Sequence, residues 1–274
     1  MNGFLTVMTD EKNKPVSSSL YDEDYYKEKC RGFEQFDKGE IHPAIKYALD
    51  LIQEKPGVVL DLGCGRGDLV YAAAMAGHQV YGIDYSEAAI GIAKKRLEIC
   101  SPEIQKKVTL AAMDAKNLQF PDNTFDYIFA LDIVEHLHQW ELVIAYQNLF
   151  RVLKHDGKLI VHTSPNKTAM IPAYTAMKLF GMNWGSQEYH VNEQTYQSLK
   201  KDLEQQHFSF KIWILKDRHF WTNCIKHRNS SIFNFFAKIY DFLLDNSVSE
   251  ILITKTSLIR LFGNDIWAII TKED

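Results

Sequence analysis

The chain has 274 residues, of which 46% are hydrophobic and 24% charged, with 14 Gly and 7 Pro. That is the profile of an ordinary globular protein of one or two domains with ample material for a core. Its 31 Lys+Arg against 35 Asp+Glu give a formal charge of -4. No global positive field therefore exists to hold nucleic acid or an anionic membrane, although a local basic patch stays open.

Cys30, Cys64, Cys100 and Cys224 lie far apart and form no CxxC or zinc-ribbon spacing, which points to a reducing, cytoplasmic setting. The opening residues lack the basic-then-apolar order of a secretion signal. The densest apolar stretch, Ile232 to Leu244, is interrupted by Asn234, Lys238 and Asp241 and falls short of the roughly 20 residues that span a bilayer. No transmembrane segment is expected.

Residues 1–56 are expected to form an N-terminal segment with helices that cover a site, beginning with a polar stretch to Ser19 and including an amphipathic helix over Ala44 to Gln53. From residue 57 the text changes to strands alternating with helices. VVLDLG (Val58 to Gly63) is a continuous apolar run of buried-strand type, and a helix over Asp68 to Ala76 follows it. QVYGIDY (Gln79 to Tyr85) reads as a second strand, with Ser86 the N-cap of a helix reaching Cys100. VTLAAMD (Val108 to Asp114) and FDYIFALD (Phe125 to Asp132) are the third and fourth strands, Gln139 to Leu153 is an amphipathic helix, and Lys158 to Ser164 is the fifth strand. This order implies an α/β fold with a mostly parallel, doubly wound sheet.

After Ser164 the rhythm breaks. Asn192 to Gln205 reads as a helix, Phe208 to Leu215 and Ile266 to Lys272 as strands, and some fifty residues between those strands are too long for a hairpin loop. Two lid regions are expected, residues 165–190 and 216–264, within a domain spanning 57–274.

The strongest motif is DLGCGRG, Asp61 to Gly67, where the first strand meets the first helix. Gly63, Gly65 and Gly67 let the backbone approach a ligand closely at the carboxyl edge of the sheet. A dinucleotide loop would read G-x-G-x-x-G and offer a helix N-terminus to a diphosphate. Here the third glycine comes one residue early, and Asp61 and Asp68 suit an ammonium or sulfonium instead. Asp84, ending the second strand, is placed to accept ribose hydroxyls. Asp114 and the N–H of Ala115, ending the third, are placed for an adenine edge.

Together these residues resemble the class I S-adenosylmethionine-dependent methyltransferases. The likeness runs from Val58 to Ser164 and includes the glycine loop with Cys64, the ribose acid, PDNTFDYIF and RVLKHDGKLIV. It implies a Rossmann-like, seven-stranded sheet with an antiparallel last strand. It also implies S-adenosyl-L-methionine as cofactor: the methionine part against Asp61 and Gly63, the ribose on Asp84, and the adenine between Tyr85 and Asp114, with Leu131 in the same set. Tyr26 or Arg31 is expected to meet the cofactor carboxylate.

Candidate acid–base groups gather in LDIVEHLHQW: Asp132, Glu135, His136 and His138, with His138 read as a solvated loop residue. D-x-x-E-H followed by His190 is also similar to the E-x-x-E-H plus distant His that binds a divalent metal in ubiquinone-pathway O-methyltransferases and small-RNA 2′-O-methyltransferases. That likeness would make Asp132, Glu135, His136 and His190 ligands, although Asp132 is a shorter arm than Glu. A hydrogen-bonded loop lock is the other reading.

The expected activity is methyl transfer to a small-molecule acceptor at oxygen, the acceptor bulky and apolar where the lids meet it. RNA 2′-O-methylation is the alternative within the class, opposed by the net negative charge. An NAD-dependent oxidoreductase and a non-catalytic cofactor-binding protein are the alternatives outside it. Nucleic acid is not an expected partner, and the sequence leaves the oligomeric state open.

Overall fold

The structure is a computed structural model that describes residues 14–30, 38–52, 55–179, 188–217 and 231–272. In chain order its helices are α1 (Pro43–Asp50), α2 (Asp68–Met75), α3 (Glu87–Glu98), α4 (Pro102–Gln105), α5 (Gln139–Val152), α6 (Lys167–Leu179), α7 (Tyr196–Gln205), α8 (Ser231–Leu244), α9 (Ser247–Thr254) and α10 (Ile259–Phe262). Its strands are β1 (Val58–Leu62), β2 (Gln79–Asp84), β3 (Val108–Ala112), β4 (Phe125–Leu131), β5 (Leu153–Thr163), β6 (Ser209–Leu215) and β7 (Asp265–Thr271).

Side chains alternate across each strand, so one sheet serves two cores. Leu60 and Leu62 of β1, Ile128 and Ala130 of β4, and Leu159 and Val161 of β5 pack toward Leu142, Tyr146 and Leu149 of α5 and Leu199 and Leu203 of α7. On the other face Val59, Phe129, Ile160 and Trp267 meet Ala48 of α1, Leu69, Val70 and Ala73 of α2, and Ile90 of α3. Leu60, Ile128 and Phe129 are fully buried, each worth about 1.5–3 kcal/mol relative to exposure.

The seven strands run in the order β3-β2-β1-β4-β5-β7-β6. β1 to β5 are mutually parallel, and β7 is antiparallel to both β5 and β6. The doubly wound sheet with its antiparallel last strand is thus the fold that the sequence implies. Ser86 caps α3, its hydroxyl accepting the Ala89 N–H at 3.2 Å. Glu87 in the first turn and Lys95 and Arg96 in the last complement the helix dipole.

Several elements differ from expectation, among them β3, β5 and α6. β3 ends at Ala112, so Asp114 lies beyond the strand in a turn where its Oδ1 accepts the Lys116 N–H. β5 starts five residues early, at Leu153. It absorbs His155–Gly157 as a bulge, where the β4–β5 pairing shifts between Phe125 and Tyr127 and Asp156 takes φ 60°. α6 has no counterpart in the expected elements because Pro172 sits inside it and reads as a breaker.

Candidate active site

Strand order reverses between β1 and β4, which opens a crevice at their carboxyl ends, the place where open α/β sheets bind ligands. A cavity of about 700 Å³ occupies it, within the roughly 300–1,000 Å³ that hold one small ligand or two adjoining ones. Asp61, Gly63, Asp84, Tyr85, Asp114, Ala115 and Leu131 line one part, and Tyr21, Tyr25, Asp132, His162, Asp265 and Trp267 line another.

The first part is built around backbone. Gly63 has φ 70°, and a Cβ there would sit 2.0 Å from Ile133 Cδ1, so any other residue would be strained in its backbone and would have to displace the Ile133 side chain. Gly65 has φ 51° and donates its N–H to Asp84 Oδ2 at 2.9 Å. Asp84 Oδ1 accepts the Ser86 N–H at 2.8 Å, and the Tyr26 hydroxyl bonds the same carboxyl group. Burial raises the Asp84 pKa while these hydrogen bonds pull against it. Cys64 is buried behind the loop, where burial raises its thiol pKa.

The two acids flanking the loop differ. Asp68 pairs with the Arg66 guanidinium at 3.1 Å. Asp61 is buried at the end of β1, and burial followed by repulsion from Asp84 and Asp68 pushes its pKa up to about 8. A ligand cation would relieve that cost. Asp114 is ion-paired at 2.9 Å with Lys116, which also meets Glu141 at 2.8 Å.

The N-terminal segment lies over this loop. Arg66 Nη1 donates to the Tyr26 carbonyl at 2.8 Å, and the Ser86 hydroxyl donates to the Tyr21 carbonyl at 2.6 Å. Tyr26 is buried against Gly65. Arg31 falls outside the described residues.

Across the cavity, charge comes from three strand ends. Asp132 follows β4 with φ 54°, and its Oδ1 lies 2.9 Å from His162 Nδ1 on β5. His162 Nε2 lies 3.6 Å from Asp265 Oδ1 at the start of β7, and the Trp267 ring centroid is 4.2 Å from the imidazole. Burial opposes protonation of His162, but the two carboxylates outweigh it and push its pKa up to about 10, so the ring is an imidazolium at neutral pH. Asp132 keeps 53% of its side chain exposed toward the cavity.

The loop after β4 holds the remaining candidates. Glu135 is buried, its Oε2 accepts the Thr163 hydroxyl at 2.9 Å, and burial followed by the nearby Asp132 raises its pKa well above the carboxylate range. His136 Nδ1 lies 3.0 Å from the Tyr21 hydroxyl and 3.1 Å from the Tyr189 carbonyl. Burial and then His190 hold the His136 pKa down to about 3, so it stays neutral. His138 turns outward to the Lys14 carbonyl at 2.9 Å.

The four expected metal ligands do not assemble. Donor atoms of Glu135, His136 and His190 lie within 4.8 Å of one another, but the short arm of Asp132 is held by His162 and stays outside the group. The hydrogen bonds from Asn192 N–H to the Glu135 carbonyl, and between His136 and Tyr189, give this cluster the character of a loop lock. Three of the four expected ligands therefore lie together, and Asp132 does not join them.

Tyr21, Arg66, His162 and Asp265 were not singled out in the sequence. His162 alone carries a local signal, a charged group in the otherwise apolar run KLIVHTS. The other three acquire a role only through contacts far along the chain.

Residues 59–157 match the family model described as a methyltransferase domain. The chain is 35% identical over 109 residues to Phosphoethanolamine N-methyltransferase 2 of Caenorhabditis elegans, covering 39% of this chain and 24% of that protein. It is 33% identical over 124 residues to a Ubiquinone biosynthesis O-methyltransferase of Coxiella burnetii, covering 45% and 50%. The chain thus spans half or less of the length of these curated relatives. In three dimensions it resembles Haemonchus contortus phosphoethanolamine N-methyltransferase 2, solved with phosphomonomethylethanolamine and S-adenosylhomocysteine. The TM-score is 0.62 at 16% identity, over 93% of this chain and 60% of that one, a likeness of fold. With glycine loop, ribose-acid position and strand order all inside or beside the matched span, residues 59–157 are a methyltransferase domain set in a fold similar to that of the class I S-adenosylmethionine-dependent methyltransferases.

Proposed function

We propose that the chain transfers the methyl group of S-adenosyl-L-methionine to a small-molecule acceptor, at oxygen. The observation that carries this reading is Asp132, a half-exposed carboxylate across the same cavity from the glycine loop and Asp84. The cofactor fits the first part of the cavity: Gly63 and Gly65 line it at positive φ, and Asp84 is already fixed by backbone N–H groups. Asp61 and Gly63 would hold the methionine end, Asp84 the ribose hydroxyls, and Tyr85, Asp114, Ala115 and Leu131 the adenine. When bound, the cofactor supplies an electrophilic methyl group on a sulfonium.

The chain's own residues then position, exclude water and take a proton. The carboxylate of Asp132 accepts the proton of the acceptor hydroxyl. His162, protonated between Asp132 and Asp265, is the positioning residue that keeps that carboxylate ionised and aimed. His136 Nδ1 is occupied by the Tyr21 hydroxyl and the Tyr189 carbonyl, so this ring serves to anchor Tyr21 over the cavity. The described parts of the segment 1–56 and of the regions 165–190 and 216–264 act as covers; the rest of these ranges lies outside the described residues. No step passes through a metal. The free cysteines Cys30, Cys64 and Cys100 support placing this activity in the cytoplasm.

A nitrogen acceptor is the second reading, favoured by the rings of Tyr21, Tyr25 and Tyr189, whose centroids lie 5.0–5.8 Å apart. Aromatic faces beside a carboxylate suit a cationic amine. The test supplies labelled cofactor with a panel of phenols and catechols and a matched panel of amines. Label in a methyl ether, lost on Asp132→Asn, is expected. Label on amines alone selects the second reading, and cofactor binding without transfer to either panel favours a binding protein.

A further inference from the structure

α8 and α9 lie in the insertion between β6 and β7 and present an apolar face to solvent. On α8, Phe235, Ile239, Phe242 and Leu243 recur at the spacing of one helix face, with Phe235 62% and Phe242 76% exposed. Val248 and Ile251 extend the exposed apolar surface on α9. The opposite face of α8 is the packed one, where Ala237 and Asp241 are buried. No described helix is long and apolar enough to cross a membrane.

The charges around it are of one sign. Among the described side chains of residues 235–262, the exposed charged groups are Lys238, Lys255 and Arg260, all cations, with Arg260 lying over the Tyr196 ring. The three acids of the same stretch are withdrawn: Asp241 is buried, Asp245 pairs with Lys216, and Glu250 is half-buried. This segregation runs against the chain's overall charge of -4. A second copy docked through the same face would set these cations against their own counterparts.

We propose that this face docks on an anionic lipid bilayer, α8 lying in the interface plane with its aromatic stripe among the acyl chains and its cations at the headgroups. The insertion is rooted in the cavity wall, since Leu215, Lys216 and Asp265 all line the cavity and the Lys216–Asp245 pair ties the end of α8 to that wall. Docking therefore sets the cavity beside the bilayer. The inference stands whichever acceptor atom is methylated.

The test is flotation of the full chain with phosphatidylcholine vesicles and with phosphatidylcholine–phosphatidylglycerol vesicles, across a salt series. Binding is expected on the anionic vesicles only and weakens with salt, each cation contributing on the order of fivefold. The double variant Phe235→Asp/Phe242→Asp should lose about tenfold or more of that binding, with S-adenosylhomocysteine affinity unchanged as the control for folding. Lys238→Glu/Lys255→Glu removes only exposed charge and repeats the test if the first variant misfolds. Absence of binding to both vesicle types, or binding that neither variant alters, overturns the proposal. So does a dimer in light scattering that the Phe242→Asp change dissociates, which would assign the face to a second copy.

Discussion

The two parts of the cavity are built by different means. Around β1 to β3 the site is backbone: positive-φ glycines and N–H groups that fix one carboxylate, all within the 24 residues from Asp61 to Asp84. Across β4, β5 and β7 it is side chain, with Asp132, His162 and Asp265 meeting only because β5 pairs with both neighbours in one register. Backbone cradles hold a constant ligand, whereas converging side chains can be exchanged to suit an acceptor. Cofactor affinity and chemistry should therefore be separable.

Asp132→Asn breaks the comparison most severely. The turnover number should fall about 10²–10⁴-fold, the range for removing a general base, while affinity for S-adenosylhomocysteine in calorimetry stays within about twofold. Asp84→Ala should do the reverse, weakening S-adenosylhomocysteine by about 1.5–3 kcal/mol, the cost of losing hydrogen bonds to a charged group, with turnover at saturating cofactor largely kept. If both variants damage the same parameter, the two parts are not separate.

The pH dependence of binding sharpens the first part further. Asp61 has its pKa raised to about 8 in the free protein, so at pH 7 it is mostly protonated. A bound ammonium favours the ionised form. Binding then releases a proton below pH 8, and affinity rises with pH by at most about tenfold per unit before levelling off above it. Calorimetry in buffers of different ionisation enthalpy measures the proton directly. Proton uptake, or affinity that falls as pH rises toward 8, would remove Asp61 from the cofactor site. Excess chelator has the smallest expected effect, a methyl-transfer rate unchanged within about twofold, because Asp132 is engaged by His162 and no step needs an ion. A rate abolished by chelator and restored by one divalent ion would return Glu135, His136 and His190 to the chemistry.

The same contrast explains what could be read in advance. DLGCGRG and Asp84 are local signals, since glycine at positive φ and an acid ending a buried strand mean the same thing in any chain that continues strand, loop, helix. The mostly parallel sheet followed from the strand–helix alternation for the same reason, and its antiparallel last strand from the family likeness. Asp265 stands 103 positions from His162, and nothing local announces a contact set by antiparallel pairing across an insertion. The expected metal set loses Asp132 and keeps the other three residues together: spacing brings positions 132 and 136 together on a helix, but Asp132, at φ 54°, pairs with His162 of β5 instead. α6 stayed hidden behind Pro172.

The central claim is that the crevice beside Gly63 and Asp84 takes a sulfonium nucleoside and not a dinucleotide. Calorimetric titration of the same preparation with S-adenosylhomocysteine and with NAD tests it most directly. Saturable binding of S-adenosylhomocysteine at one site per chain, with no heat from NAD, is the predicted result; tight NAD binding with no response to S-adenosylhomocysteine would contradict it.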